Sequence, residues 1–273
     1  MTPRTRLGVL GRPIAHSRSP QLHLAAYRVL GLDWEYDRYD VGPGELAGWV
    51  GGLGPDWRGL SITMPLKSEA MALAAWHSPA AEATGSVNTL VLRDGTIRGH
   101  NTDVYGIVQA LWQQGVTEVR RVHVLGAGAT ATSVLAAAAQ LGATRATVAA
   151  RRPEQLADLA RVSSAFGLPV DPTSWAAAGD ADLVVNTVPG GVTADVAFQP
   201  EVMRRAALFD VVYDPWPSPL ATRWTDAGGT VASGLDMLLW QAVLQVRLFL
   251  GVGDDDPLPD EERVLAAMQD ALR

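Results

Sequence analysis

The chain has 273 residues, a formal net charge of −7, 48% hydrophobic and 19% charged residues, and no cysteine. This composition excludes a disordered chain, and the acidic balance argues against a general binder of nucleic-acid phosphates. The absence of cysteine excludes disulfides, thiolate metal sites and a cysteine nucleophile. It fits a reducing, cytoplasmic location.

The amino-terminal residues show no apolar run typical of a secretion signal. The longest apolar stretch runs from Met237 to Val252, but Gln241, Gln245 and Arg247 interrupt it. This pattern predicts a buried helix rather than a membrane span, so we expect no membrane partner.

The first hundred residues alternate short β-rich runs with helical stretches, a pattern typical of an α/β fold. Ser19 followed by Pro20 is typical of a helix start, with Ser19 as the N-cap. The pair Asp94-Gly95 predicts a tight turn between two antiparallel strands. The predicted strands cover residues 6–10, 34–39, 59–63, 86–92 and 96–99, and the predicted helices run from residue 19 toward 30 and onward from 66.

From about residue 103 the pattern becomes one βαβαβ series, which predicts a parallel, doubly wound sheet. The predicted strands cover 121–125, 146–150, 183–187 and 208–213, with a last short one near 231. One predicted helix runs from 103 to before 115, and a second follows the glycines after strand 121–125 and runs to 140. Two more cover 235–250 and 260–272, and these last two can return to the first domain. We therefore expect two domains, 1–103 plus 237–273 and 104–236, with a cleft between them as the default ligand site.

A glycine turn follows the predicted strand 121–125 and opens the next helix. Gly126-x-Gly128-x-x-Ala131 has the form of the dinucleotide-binding motif in its required context. Gly126 permits the tight turn, Gly128 lets a diphosphate approach the backbone, and Ala131 keeps strand and helix close. The helix N-terminus supplies free N–H groups for the phosphates. The alternative is a glycine turn that merely joins a strand to a helix.

The end of the next predicted strand indicates which dinucleotide binds. An NAD site usually places an acidic residue there, about 20 residues after the glycines, to bind a ribose hydroxyl. Here the strand ends in Ala149-Ala150-Arg151-Arg152. A guanidinium group binds a 2′-phosphate, so the arginine pair predicts NADP as the cofactor. The alternative is a solvated arginine pair at a helix start.

Two polar clusters lie near the amino terminus. The first places Ser17 and Ser19 at a helix start, which suits an anionic carboxylate, although Ser19 could simply cap the helix. In the second, a strand end carries Thr63 and a helix start carries Lys67, where a cation opposes the helix dipole. A catalytic ammonium explains that lysine, and an exposed lysine is the alternative.

A third polar cluster surrounds the predicted hairpin. Asn88 and Asp103 lie at its opposite ends and could converge in space. Their alternatives are an Asx turn and a helix N-cap. The five histidines show no metal-ligand spacing, so we expect no metal.

Taken together, these segments resemble the shikimate dehydrogenase family, and the resemblance covers nearly the whole chain in order. The similar segments are Ser17-x-Ser19-Pro20, Thr63-x-Pro65-x-Lys67, Val87-Asn88-Thr89-Leu90, Gly99-x-Asn101-Thr102-Asp103-x-x-Gly106, the glycine turn, Val185-Asn186-Thr187, Asp210 to Pro215 and Gly234 to Gln241. The resemblance implies a mixed-sheet α/β domain for the substrate and a Rossmann-like domain for NADP. It implies NADP-dependent interconversion of 3-dehydroshikimate and shikimate, a step of aromatic amino-acid (chorismate) biosynthesis. We expect a small-molecule substrate, no nucleic-acid partner, and a monomer or homodimer.

The resemblance also implies a role for each matching residue. Lys67 and Asp103 would form the catalytic pair that moves the proton while the nicotinamide carries the hydride. The implied substrate-binding residues are Ser17, Ser19 and Tyr213 for the carboxylate and Thr63, Asn88 and Gln241 for the ring hydroxyls. The implied NADP-binding residues are Gly126, Ala127, Gly128, Ala129, Thr130, Arg151, Arg152, Thr187, Val211 and Gly234.

The sequence departs from the commonest pattern of that family in a few places. Ser61 and Ala150 each stand where asparagine is usual, and Ser218 replaces a threonine. Two alternatives stay open: a quinate/shikimate dehydrogenase that uses NAD, and a sensor that binds nucleotide or shikimate without catalysis. An acidic residue at the strand end would favour the first, and the loss of Lys67 or Asp103 would favour the second.

Overall fold

The computed structural model describes residues 4–175, 177–188, 196–253 and 256–273, apart from the side chain of Pro153. The chain divides into two compact units: Met1–Thr102 with Gln241–Arg273, and Asp103–Trp240. We refer to them as the first and the second unit. Among the helices of the described residues, none combines the length and apolar character that a membrane span requires.

The first unit is built on a mixed six-stranded sheet. Strand β1 pairs in parallel with β2 and β3, β3 pairs antiparallel with β5, and β5 and β6 form an antiparallel hairpin. The strand order is β2-β1-β3-β5-β6-β4. The elements are β1 (Thr5–Gly11), α1 (Ser19–Val29), β2 (Trp34–Asp40), α2 (Leu46–Gly51), β3 (Trp57–Ile62), α3 (Lys67–Leu73), β4 (Trp76–His77), α4 (Pro79–Thr84), β5 (Thr89–Arg93) and β6 (Thr96–His100).

The second unit is built on a parallel six-stranded sheet. Its strand order is β12-β11-β10-β7-β8-β9, in which the series starts at the centre and winds outward in both directions. The elements are α5 (Asp103–Gln113), β7 (Arg121–Leu125), α6 (Ala129–Gln140), β8 (Arg145–Ala149), α7 (Pro153–Ser164), β9 (Val170–Pro172), β10 (Leu183–Asn186), α8 (Pro200–Arg205), β11 (Ala207–Asp210), α9 (Pro219–Asp226) and β12 (Val231–Ser233). The two-domain α/β fold class is therefore confirmed, with one mixed and one parallel sheet.

Helix α10 (Gly234–Leu250) begins in the second unit, and from Gln241 onward its residues belong to the first. Helix α11 (Glu261–Asp270) follows it and packs against α1. A buried ion pair joins these last two helices, because Arg247 Nη2 lies 2.8 Å from Glu261 Oε1 with both side chains largely shielded from water. Glu261 also accepts a 2.7 Å hydrogen bond from the backbone N–H of Leu258, so the pair fixes the connection between α10 and α11.

Each unit has its own apolar core. In the first unit, Leu10, Leu60 and Leu90 from adjacent strands are fully buried. In the second unit, Val184 and Leu208 pack with Trp224, whose indole N–H donates to the carbonyl of Ala206 at 2.9 Å. These cores hold the strand ends and helix starts on which the predicted site residues lie.

Three predicted boundaries were wrong. Helix α1 has Arg18 as its N-cap, and Ser19 is its first helical residue and caps nothing. The strand predicted over 86–92 begins only at Thr89, because the N–H of Ser86 closes the end of α4 on the carbonyl of Ala81.

The strand predicted over 208–213 ends at Asp210. Beyond it the carboxylate of Asp210 accepts the backbone N–H of Val212 at 3.1 Å, which takes that donor out of the ladder.

Candidate active site

The glycine turn of the second unit lies between β7 and α6, as its motif requires. Gly126 has φ +102°, and a methyl group added there would overlap Thr187 Oγ1 and lie 3.1 Å from Val188 Cγ2. Its N–H donates to the carbonyl of Ala149 at 2.8 Å. Gly126 therefore holds the close approach of the ends of β7, β8 and β10.

Gly128 differs from Gly126 in its backbone conformation and in the space around it. It is the N-cap of α6 with an extended backbone (φ −86°, ψ −174°), and a methyl group added there would meet nothing within 4 Å. Both Gly128 and Ala129 are exposed, while Ala127 and Thr130 are half-buried. The open backbone at the start of α6 is the geometry that a diphosphate needs.

The other predicted NADP-binding residues of this unit lie where parallel strands end. Thr187 follows β10, and its hydroxyl donates to the carbonyl of Leu125 at 2.8 Å. Val211 follows β11, and Gly234 begins α10 against it: a methyl group at Gly234 would overlap the Val211 carbonyl oxygen and lie 3.1 Å from its Cα. The structure thus brings Gly126 to Thr187, and Val211 to Gly234.

Arg151 and Arg152 lie just beyond the end of β8, after Ala150, and both are exposed. Arg152 is the N-cap of α7 but makes no side-chain cap. No carboxylate stands at this strand end, which reads Ala149-Ala150 before the arginines. The donor set at this position fits a phosphate rather than a ribose hydroxyl.

Asp210 is a buried carboxylate that orders the loop after β11. The sequence alone indicated no role for it. Asp210 is fully buried, and it accepts hydrogen bonds from Asn186 Nδ2 (2.9 Å) and Ser218 Oγ (2.5 Å) as well as from Val212. Burial raises the pKa of Asp210, and these hydrogen bonds offset part of the increase. The loop so held carries Tyr213, which is half-buried.

In the first unit, the predicted carboxylate-binding serines lie together at the start of α1. Ser17 Oγ accepts the N–H of Ser19 at 3.4 Å, so Ser17 rather than Ser19 serves a terminal N–H of the helix. Ser19 is buried, and Ser17 is half-buried.

The second predicted polar cluster, Thr63 and Lys67, lies where the chain passes from β3 into α3. The carbonyl of Thr63 accepts the N–H of Leu66 at 2.9 Å, which turns the chain into the helix that begins with Lys67. Lys67 is half-buried, and its carbonyl accepts the N–H of Val87 at 3.3 Å. The residue next to Asn88 is therefore tied to the residue at the start of α3.

Composition offers a further signal for Lys67. It is the only lysine of the chain, and the other 21 of the 22 basic residues are arginines. An arginine side chain is not deprotonated in proteins, whereas a lysine amine can give and take a proton. This chain has its one side-chain ammonium at the position for which the sequence resemblance implies a catalytic role.

Asn88 is buried, and its side chain bonds to Thr89 and across the hairpin to Thr102. Its Oδ1 accepts the N–H of Thr102 at 2.8 Å and the hydroxyl of Thr89 at 2.8 Å, and its Nδ2 donates to Thr102 Oγ1 at 2.9 Å. Gln241 lies on α10 in the first unit and is buried.

Asp103 is the first residue of α5, in the second unit, and it is also buried. The predicted residues therefore fall into two sets. The first unit carries Ser17, Ser19, Thr63, Lys67, Asn88 and Gln241, and the second carries Asp103, Tyr213 and the residues predicted to bind NADP. In the part of the chain that the structure describes, no group of three or more His, Asp or Glu side chains is arranged to hold a metal ion.

Comparisons with known proteins show the family to which the chain belongs. A family model described as the shikimate dehydrogenase substrate binding domain matches residues 9–90. A protein named shikimate dehydrogenase (NADP(+)) from Oleidesulfovibrio alaskensis is 36% identical over 258 residues, which is 91% of each chain. The crystal structure of Mycobacterium tuberculosis shikimate dehydrogenase superposes with a TM-score of 0.86 at 42% identity, over 98% of this chain and 100% of that one. A Thermus thermophilus structure of the same name, in complex with NADP(H) and shikimate, gives a TM-score of 0.83 at 33% identity, over 97% and 99% of the two chains.

Proposed function

Because this chain belongs to the shikimate dehydrogenase family, we propose that it reduces 3-dehydroshikimate to shikimate with NADPH, and catalyses the reverse oxidation. The observation that carries the proposal is similarity along the whole chain to relatives named for this NADP-dependent activity. The protein is an oxidoreductase that acts on a CH–OH group, with NADP as its cofactor and a small ring acid as its substrate. The reaction is a step of aromatic amino-acid biosynthesis.

We assign NADP to the domain 104–236 and the substrate to the domain formed by 1–103 and 237–273. Two features of the second unit fit the cofactor: the open backbone at Gly128 would accept the diphosphate, and Arg151 and Arg152 would bind the 2′-phosphate. When bound, NADPH supplies the hydride. The cysteine-free sequence fits a cytoplasmic enzyme, and we expect a monomer or homodimer.

Lys67 is the residue that we assign to proton transfer. In reduction its ammonium donates a hydrogen bond to the substrate carbonyl oxygen and then protonates the alkoxide as it forms. In oxidation the neutral amine takes the hydroxyl proton. Asp103 is its carboxylate partner in this role.

The remaining polar residues bind and orient the substrate. Ser17, Ser19 and Tyr213 serve the carboxylate through hydroxyl donors, and Thr63, Asn88 and Gln241 serve the ring hydroxyls. Oriented binding of this kind lowers the barrier because the reacting atoms are held in place before the hydride moves.

The test is shikimate-dependent reduction of NADP+, followed by the absorbance of the reduced nicotinamide. Lys67→Ala should lower kcat by about 10²–10⁴-fold, with a smaller change in KM, because a general acid–base contributes that much. Ser68→Ala is the matched control: Ser68 follows Lys67 in α3 and is exposed, so this variant should retain wild-type kcat. A Lys67→Ala enzyme with near-normal kcat would remove Lys67 from its role.

The single lysine allows an independent test. An amine-selective acylating reagent can modify only Lys67 and the α-amino group of the chain. Acylation should inactivate the enzyme, and bound shikimate should slow that inactivation. In Lys67→Ala the reagent should acylate only the α-amino group, at a rate that shikimate does not change.

Parallel assays with NAD+ and with quinate separate the alternatives. Turnover with NAD+ at a kcat/KM equal to that with NADP+ would favour the quinate/shikimate enzyme. Binding of NADP+ and shikimate without any turnover would favour the sensor.

A further inference from the structure

A chain of buried hydrogen bonds in the first unit converges on Gln245 of α10. Gln245 Oε1 accepts from Ser61 Oγ at 2.7 Å and lies 3.1 Å from His23 Nε2. Its Nε2 donates to Thr89 Oγ1 at 2.9 Å and to the carbonyl oxygen of Asn88 at 3.4 Å. Gln245 is 1% exposed and Thr89 is 0% exposed, so water cannot replace these partners.

Two backbone groups fix the direction of these hydrogen bonds. The Thr102 N–H can only donate, so the Asn88 atom that faces it must be the oxygen. The Asn88 carbonyl can only accept, so the Gln245 atom that faces it must be the amide nitrogen. Gln245 Oε1 then points toward His23, whose Nε2 must carry the proton.

The pKa of His23 agrees with that assignment. Burial lowers it from 6.5 to about 3, which keeps the ring neutral. Its other nitrogen, Nδ1, lies 3.1 Å from the Tyr27 hydroxyl, which donates to it.

The same chain of hydrogen bonds extends to Tyr36 of β2. The Tyr36 hydroxyl donates to Ser61 Oγ at 2.6 Å, and Ser61 donates onward to Gln245. Burial raises the pKa of Tyr36, and hydrogen bonds with Ser61 and Ser19 offset part of the increase. Ser61 lies opposite Thr89 in the antiparallel pairing of β3 and β5, which places both beside the Gln245 amide.

We infer that Gln245 is a positioning residue for the substrate: acting through Thr89, it holds the Asn88 amide in the orientation that the Thr102 N–H selects. Thr89 Oγ1 accepts a hydrogen bond from the Gln245 amide, and the Thr89 hydroxyl donates one to Asn88 Oδ1 at 2.8 Å. The Asn88 oxygen thus accepts from both Thr89 and the Thr102 N–H, and the Asn88 nitrogen donates to Thr102 Oγ1. This inference rests on the proposed function, in which Asn88 binds a ring hydroxyl of shikimate.

The test compares four variants by their KM for shikimate and for NADP+. Thr89→Val removes the linking hydroxyl and nearly keeps the shape, and Gln245→Leu removes the amide itself. Each should raise the KM for shikimate by about three- to tenfold, the effect of one or two net hydrogen bonds, and leave the KM for NADP+ unchanged. Val246→Ala is the structural control: Val246 is fully buried on the same helix, so its loss should lower stability but not alter the KM for shikimate.

Asn88→Ala separates the inference from the proposed function. It should raise the KM for shikimate by itself, and Thr89→Val should add less than about twofold in its background, because the two act through one amide. No effect of Asn88→Ala would refute the proposed role of Asn88. An effect of Asn88→Ala, with either no effect of Thr89→Val or fully additive effects of the two, would overturn the positioning role alone. If Gln245→Leu does not fold, Thr89→Val decides the question.

Discussion

Gly126→Ala and Gly128→Ala should separate the folding role of the glycine turn from its cofactor role. At Gly126 the positive φ costs an alanine about 1–2 kcal/mol. The added methyl group also overlaps Thr187 Oγ1, and moving that hydroxyl breaks its hydrogen bond to Leu125, which costs about 0.5–1.5 kcal/mol more. The free energy of unfolding of the apo protein should therefore fall by about 1.5–3.5 kcal/mol.

Gly128→Ala carries neither cost, because its backbone is extended and its surroundings are open. Its poorer N-cap is offset by the lower entropy of the unfolded chain, so stability should stay within about 1 kcal/mol of wild type. The dissociation constant for NADP+ should nevertheless rise at least about tenfold, because the methyl group occupies the space that the diphosphate needs. Urea unfolding of the apo protein and calorimetric titration with NADP+ measure the two effects. Wild-type NADP+ affinity in Gly128→Ala, or unchanged stability in Gly126→Ala, would refute the reasoning.

Three further outcomes follow from the structure. Arg151→Ala and Arg152→Ala should each raise the KM for NADP+ by about tenfold or more, because each removes a charge-assisted hydrogen bond to the 2′-phosphate. The KM for NAD+ should stay unchanged, and equal changes in both KM values would contradict a 2′-phosphate site. The pKa of His23 is lowered from 6.5 to about 3, so as the pH falls below 6.5 the unfolded state takes up its proton first and stability is lost. His23→Met should remove up to about 1.4 kcal/mol per pH unit from that slope in urea unfolding, and identical slopes would count against it. Arg247→Met should destabilise by about 3–5 kcal/mol because it leaves the Glu261 carboxylate unpaired, and adding Glu261→Leu should restore much of the loss; a double variant less stable than the single one would contradict this.

The order of the main elements could be predicted from the sequence because each carries a local signal. The strand 121–125 coincides with β7, and the turn at Asp94-Gly95 joins β5 to β6 as expected. Short elements such as β4 and β9, of two and three residues, carry no periodicity that could reveal them. They form because neighbouring strands and helices already present a partner.

The polar interior was the least predictable part of the site. Nothing local in the sequence marks Tyr36, Ser61 or Gln245 as partners, since they lie on three elements that only the fold brings together. Asp210 belongs to a recognisable motif, but its burial and its bond to Ser218 required the structure. Long-range hydrogen bonds of this kind depend on strand register and helix packing, which local propensity does not specify.

The serine at position 61, where asparagine is commoner in the family, has a consequence for how the protein can evolve. Its hydroxyl is both acceptor for Tyr36 and donor to Gln245, at 2.6 and 2.7 Å. A change of Ser61 to asparagine would insert a longer amide between two partners already at hydrogen-bonding distance, so at least one buried partner would have to move. We therefore expect substitutions at positions 61, 36 and 245 to be non-additive, so that a change at one of them constrains which residues the other two can accept.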